Sequence, residues 1–134
     1  MIILDSSFLV AFYNTNDQNH AKAKSLMEEI VSGKFGLVFI SDYIFDEVVT
    51  VALIKLKALK EAIRIGNLLL NATMILTTDK TLFDSTWRRF KAQKSTHLSF
   101  TDCSILELVS KNGIDYIATF DKEFKQAHKN VIGL

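Results

Sequence analysis

The sequence predicts an α/β fold of three layers, α/β/α, with a central parallel sheet. Two observations lead there. Five short apolar runs alternate with longer segments of helical propensity, and short strands that are apolar throughout suit a parallel sheet buried on both faces. The residues between them are Asp, Ser, Asn and Gly, which start helices at one end and stop them at the other.

Met1 to Leu4 is the first apolar run and stops at Asp5; after it Phe8 to Tyr13 continues apolar before the polar loop Asn14 to Asn19. Strand, tight turn and helix is the expected order. Residues 20 to 32 favour helix by propensity, and Gly33 supplies a left-handed stop. Leu37 to Ile40 is a strand, Ser41 caps a helix through Asp42 to Lys55, and 57 to 71 is a second helical segment. Met74 to Leu76 is the third strand, and Thr78 or Asp79 caps a helix through Phe90. After the loop Gln93 to Thr96, Ser99 opens a helix that reaches Lys111 and stops at Asn112 and Gly113. Tyr116 to Thr119 is a strand, a helix starts near Asp121, and Val131 with Ile132 adds a last strand.

A chain of 134 residues with 49% hydrophobic residues supports one core without staples, so one domain over 1–134 is expected and disordered or fibrous classes are excluded. The single cysteine, Cys103, has no disulfide partner in the chain and no basic-then-apolar leader opens it, so a soluble cytoplasmic protein is expected. No apolar run approaches the ~20 residues of a membrane helix. The formal charge of +1 leaves any polyanion to be held by a local basic patch.

Asp5 and Asp121 each follow a strand, where a parallel sheet presents its carboxyl edge and where ligands collect. Each also suits a helix N-cap. Asp102 completes a capping box with Ser99, yet shares a helical face with Ile105, Leu106 and Val109, the face expected to turn inward. Glu47 shares its face with Tyr43, Ile44, Val51 and Ile54, whereas Asp46 points outward. A buried carboxylate must be neutralised, paired with a cation or used to hold a metal, and a salt bridge to a nearby Lys is the plainer alternative. Acids without a Cys–His zinc spacing, and with His20, His97 and His128 isolated, point to an oxygen-ligand site for Mg²⁺ or Mn²⁺.

The segments Met1–Ser7, Phe45–Val48, Leu98–Cys103 and Ile117–Phe124, in this order over nearly the whole chain, resemble the PIN-domain nucleases and their single-domain VapC-like toxin ribonucleases. Asp17 to Ala21 and Asn112–Gly113 add weaker similarity, and Cys103 stands where the family has a small Ala. The resemblance implies Mg²⁺-dependent endonucleolytic cleavage of RNA that leaves 5′-phosphate and 3′-hydroxyl ends. Asp5, Glu47, Asp102 and Asp121 would hold the metal, and the hydroxyls of Ser6, Ser7 and Thr119 are candidates to orient its waters. It further implies a homodimer and, in a toxin pair, an antitoxin segment lying across the acidic groove.

Trp87, Arg88, Arg89, Phe90 and Lys91, with Lys94, interleave basic and aromatic side chains that suit phosphates and unpaired bases. An amphipathic helix with Trp87 and Phe90 packed inward is the alternative. Lys55, Lys57, Lys60 and Arg64 form a second basic run with the same ambiguity. Two rival functions fit less well. An Asp-based phosphotransfer domain also gathers Asp at strand ends around Mg²⁺, but Asp5 is followed by Ser6 and Ser7 rather than a second Asp two positions on. A noncatalytic PIN-like module that grips RNA or protein does not need all four acids.

Overall fold

The computed structural model describes residues 1–134. The elements are β1 (Ile2–Leu4), α1 (Ser6–Tyr13), α2 (His20–Val31), β2 (Val38–Ser41), α3 (Asp42–Leu56), α4 (Leu59–Ala72), β3 (Met74–Leu76), α5 (Lys80–Ala92), α6 (Phe100–Asn112), β4 (Tyr116–Ala118), α7 (Phe124–Ala127) and β5 (Val131–Ile132). All five strands are parallel, in the order β3-β2-β1-β4-β5. The architecture is the three-layer α/β/α sandwich that the alternating runs predict.

The reason is visible in β1, where Ile2, Ile3 and Leu4 are all buried. A strand covered on both faces has no use for a polar residue until it leaves the sheet, which here happens at Asp5. Phe8 and Leu9 of α1, Ile44 and Val48 of α3, Ile105 and Leu108 of α6, and Phe124 of α7 belong to the same core. No helix is long and apolar enough to cross a membrane.

Helix boundaries follow local chemistry. Ser41 accepts the Ile44 amide at 3.1 Å, Asp79 accepts the Leu82 amide at 2.7 Å, and Gly113 ends α6 in the left-handed region. Of the two expected caps for α5, Asp79 is the one used. Two boundaries depart from expectation. Between α3 and α4 the left-handed residue is Lys57, at φ 51°, a turn that no glycine announces. The last helix begins at Phe124 rather than near Asp121, because Asp121 Oδ1 accepts the Glu123 amide at 2.9 Å and holds a turn in front of it.

The strand order places a topological switch point beside β1. From β1 the chain steps to β2 and β3 on one side, then returns to β4 and β5 on the other. The crevice outside the carboxyl ends of β1 and β4 is where such sheets hold ligands. The register Leu4↔Ala118 sets Asp5 and Thr119 side by side at this edge.

Gly133 secures the same edge from the far side of β4. At φ +104° it occupies a region closed to most side chains, and a Cβ there would lie 2.5 Å from the Thr119 carbonyl oxygen. Gly133→Ala is therefore expected to destabilise the fold by about 2–4 kcal/mol, the sum of backbone strain and a backbone clash. Chemical denaturation measures the loss, and an unchanged midpoint would show that β5 sits elsewhere.

Candidate metal centre

Asp5 caps α1 and is only 3% exposed. Its Oδ2 accepts the Ser7 hydroxyl at 2.6 Å, the Thr119 hydroxyl at 2.7 Å and the Ser7 amide at 3.3 Å. The two hydroxyls are themselves held. Ser7 Oγ accepts the Phe120 amide at 3.0 Å, and Thr119 Oγ1 accepts the Asp121 amide at 2.9 Å. One carboxylate oxygen thus ties the start of α1 to the end of β4 and fixes the turn that carries Asp121. Oδ1 has only a long contact, 3.4 Å, from the Ser6 hydroxyl. The Ser7 and Thr119 hydroxyls are therefore directed at Asp5, whereas the sequence suggested them as partners for metal-bound water.

Burial pushes the Asp5 carboxyl above the usual carboxylate range, against the pull of its hydrogen bonds from Ser7 and Thr119. Thr119→Val removes one of those bonds while keeping the shape. We expect it to cost about 1–3 kcal/mol and to raise the Asp5 pKa further, a shift that carboxyl NMR titration reads directly.

Asp102 carries both of its expected roles. The capping box is formed, with Ser99 N–H donating to Oδ2 at 2.7 Å and the Asp102 amide donating to Ser99 Oγ at 3.0 Å. Its helical face turns inward through Ile105, Leu106 and Val109, and the half-buried carboxyl is pushed up by burial, with the nearby charges of Asp5 and Asp121 adding to the rise. That coupling brings residues from β1, α6 and the β4 edge into one electrostatic neighbourhood. Asp121 is half-buried and is not the N-cap of α7, which falls at Glu123.

Glu47 corrects the expectation. It is exposed, not buried. The inward stripe of α3 runs through Ile44 and Val48, while Ile54, expected inside, is 67% exposed. The helix is rotated relative to the expected face, so the argument from a buried charge fails. Glu47 instead lines an open cleft of about 440 Å³ with Tyr43, Asp46, Thr50, Phe100 and Thr101. It shares that lining with Thr101, which precedes Asp102 in α6.

No three His, Cys, Asp or Glu side chains converge closely enough to hold one metal ion together. Asp102 lies close enough to Asp5 and Asp121 for their charges to raise its carboxyl, without a ready-made ligand shell. The donor chemistry nevertheless fits a hard divalent cation. In each of the three, one oxygen is anchored, by Ser7 and Thr119, by the Ser99 amide or by the Glu123 amide. Two of the three histidines are engaged elsewhere: a ring nitrogen of His20 lies 2.9 Å from the Ala11 carbonyl and one of His128 lies 3.1 Å from that of Asp115.

The basic and aromatic segment lies on α5. Trp87 and Phe90 are exposed, not packed inward, while Leu82 and Thr86 form the buried side. Arg89 is engaged with Glu107 at 2.5 Å, whereas Arg88 and Lys91 have no carboxylate partner. In the second basic run Arg64 pairs with Glu61 at 2.9 Å. Tyr43 and Phe100 meet in the cleft although more than fifty positions separate them, a pairing that no local pattern announces.

The model of the PIN domain family matches residues 2–130. No curated protein matches the sequence. Among solved structures, VapC20 of Mycobacterium tuberculosis, described as a Sarcin-Ricin loop cleaving toxin, is 23% identical over 95% of this chain and 95% of its own, with a TM-score of 0.84. FitAcB of Neisseria gonorrhoeae is 16% identical, covering 98% of this chain and 96% of that one, with a TM-score of 0.69. PAE2754 of Pyrobaculum aerophilum is 17% identical, covering 98% and 87%, with a TM-score of 0.67. These likenesses show the same fold, and the family match spans the strand ends that carry Asp5 and Asp121 and the first turn of α6 that carries Asp102: the chain belongs to the PIN domain family.

Proposed function

We propose that the protein is a Mg²⁺- or Mn²⁺-dependent endoribonuclease and the toxin of a toxin–antitoxin pair, cytoplasmic and homodimeric. The observation that carries this reading is the electrostatic coupling of Asp102 to Asp5 and Asp121 at the switch point of a PIN-family sheet. The toxin assignment follows the likeness to VapC20, whose description names a toxin that cleaves the Sarcin-Ricin loop. Asp5, Asp102 and Asp121 would hold the cation with their unanchored oxygens, and Glu47 would reach the site from the cleft rim.

When bound, the cation supplies charge neutralisation at a phosphoryl oxygen and a lowered pKa for attacking water. The protein supplies the rest. Ser7 and Thr119 hold the Asp5 carboxylate in one orientation, so that no conformational search is needed when substrate arrives. The same hydroxyls order the Phe120–Asp121 turn. Raised proton affinity at Asp5 and Asp102 means that binding of a cation displaces protons, so activity is lost as pH falls through those raised values.

The test is incubation of a mixed pool of structured and single-stranded RNA with purified protein in Mg²⁺, in Mn²⁺ and in EDTA. Cleavage with either metal, giving 5′-phosphate and 3′-hydroxyl ends, is expected. Absence of cutting with both metals would move the reading to a noncatalytic RNA- or protein-binding module.

A further inference from the structure

The outer side of α5 presents an aromatic row that folding does not require. Phe83, Trp87 and Phe90, at spacings of four and three, form one helical stripe and are 45%, 47% and 37% exposed. The helix already has its inward side in Leu82 and Thr86. The Trp87 and Phe90 rings are nearly parallel, at 15° and 5.7 Å between centroids. Phe90 leads to Phe100 at 6.2 Å, and Phe100 leads to Tyr43 at 6.1 Å. Phe100 and Tyr43 line the cleft that also holds Glu47 and Thr101. The row is thus continuous from the open Trp87 face to the cleft that Glu47 lines.

Charge decides what suits it. Lys91 Nζ lies 5.5 Å from the Trp87 ring centroid, and neither it nor the neighbouring Arg88 is paired with a carboxylate. Unpaired cations interleaved with stacked, exposed rings match a ligand that brings flat rings and phosphates together. We infer that this row is a docking track for an unpaired segment of RNA, with a base extending the Trp87–Phe90 stack and the strand leading along Phe100 and Tyr43 into the cleft. The inference rests on the RNA-directed reading of the acidic site and names the form of RNA: single strand or loop, since duplex bases offer no open face.

Trp87 is the chain's one tryptophan, so its fluorescence reports on this spot alone. The experiment titrates the Asp5→Asn protein in EDTA, where nothing is cut, with short single-stranded oligoadenylate and with duplex RNA of equal length. Saturable quenching by the single strand but not by the duplex is expected, with affinity about tenfold lower in Phe90→Ala, which keeps the reporter. Lys91→Ala should make binding less salt-dependent. Equal quenching by duplex, or no quenching by an RNA that the wild type cuts, would overturn the track and leave the nuclease reading standing. Trp87 emission that shifts with protein concentration alone, without RNA, would assign the row to the contact between copies of the chain and overturn it too. Quenching by an RNA that the wild type cuts with no metal supports the track while removing the proposed metal chemistry.

Discussion

Asp5→Asn is expected to reduce RNA cleavage by about a hundredfold or more while leaving the fold intact or slightly more stable. The activity loss follows from taking a charge out of the site that would hold the cation, where a single electrostatic group is worth about 10²–10³ in rate. The stability follows from linkage. Burial raises the carboxyl's pKa in the folded protein above its ordinary value, so the ionised form weakens the fold above the folded-state pKa, and that penalty disappears as pH falls below the unfolded value. Asn carries no such penalty. It can still cap α1 and accept from Ser7 and Thr119, whose hydroxyls now meet Oδ2. Thermal melts in EDTA should show a midpoint equal to or above wild type at neutral pH, with the difference closing in acid. A lower midpoint would mean that the carboxylate is structural first.

Asp102→Asn is expected to lower cleavage by about a hundredfold, and Asp121→Asn by about tenfold, with Asp121 tolerated better because it sits at the edge of the group. Asp102 senses both other acids, and its carboxyl faces the buried side of α6. Asn at 102 can still accept the Ser99 amide, so the capping box is weakened rather than lost. Rates measured across a Mg²⁺ series separate weakened metal binding, which excess metal restores, from a role that metal cannot replace. Equal losses at both positions would contradict the ranking.

The fold was legible because the strands are short apolar runs and four helix starts carry a capping residue. Asp5, Ser41, Asp79 and Ser99 all start helices as their residue types suggest, and the alternation of runs forces parallel pairing. The α3–α4 turn was not legible, because Lys57 adopts a left-handed conformation that its side chain does not advertise. Asp5, Asp102 and Asp121 could be singled out because strand ends and an inward helical face are properties of local sequence. Glu47 misled because α3 is apolar on several sides: Leu53, Ile54 and Leu56 are exposed, so hydrophobicity alone does not fix which side faces the core. Trp87 and Phe90 turn outward, against the alternative of an inward-packed amphipathic helix. The Ser7–Thr119 anchoring of Asp5 joins residues 112 positions apart and depends on the β1–β4 register, which tertiary pairing alone sets.

The most direct measurement of the metal centre is Mn²⁺ binding to the purified protein by electron paramagnetic resonance, for wild type and Asp5→Asn. A saturable site in the wild type that Mg²⁺ competes for and that the substitution abolishes is the expected result. Mn²⁺ that binds Asp5→Asn as tightly as wild type, or fails to bind the wild type at all, would contradict a cation held by Asp5, Asp102 and Asp121.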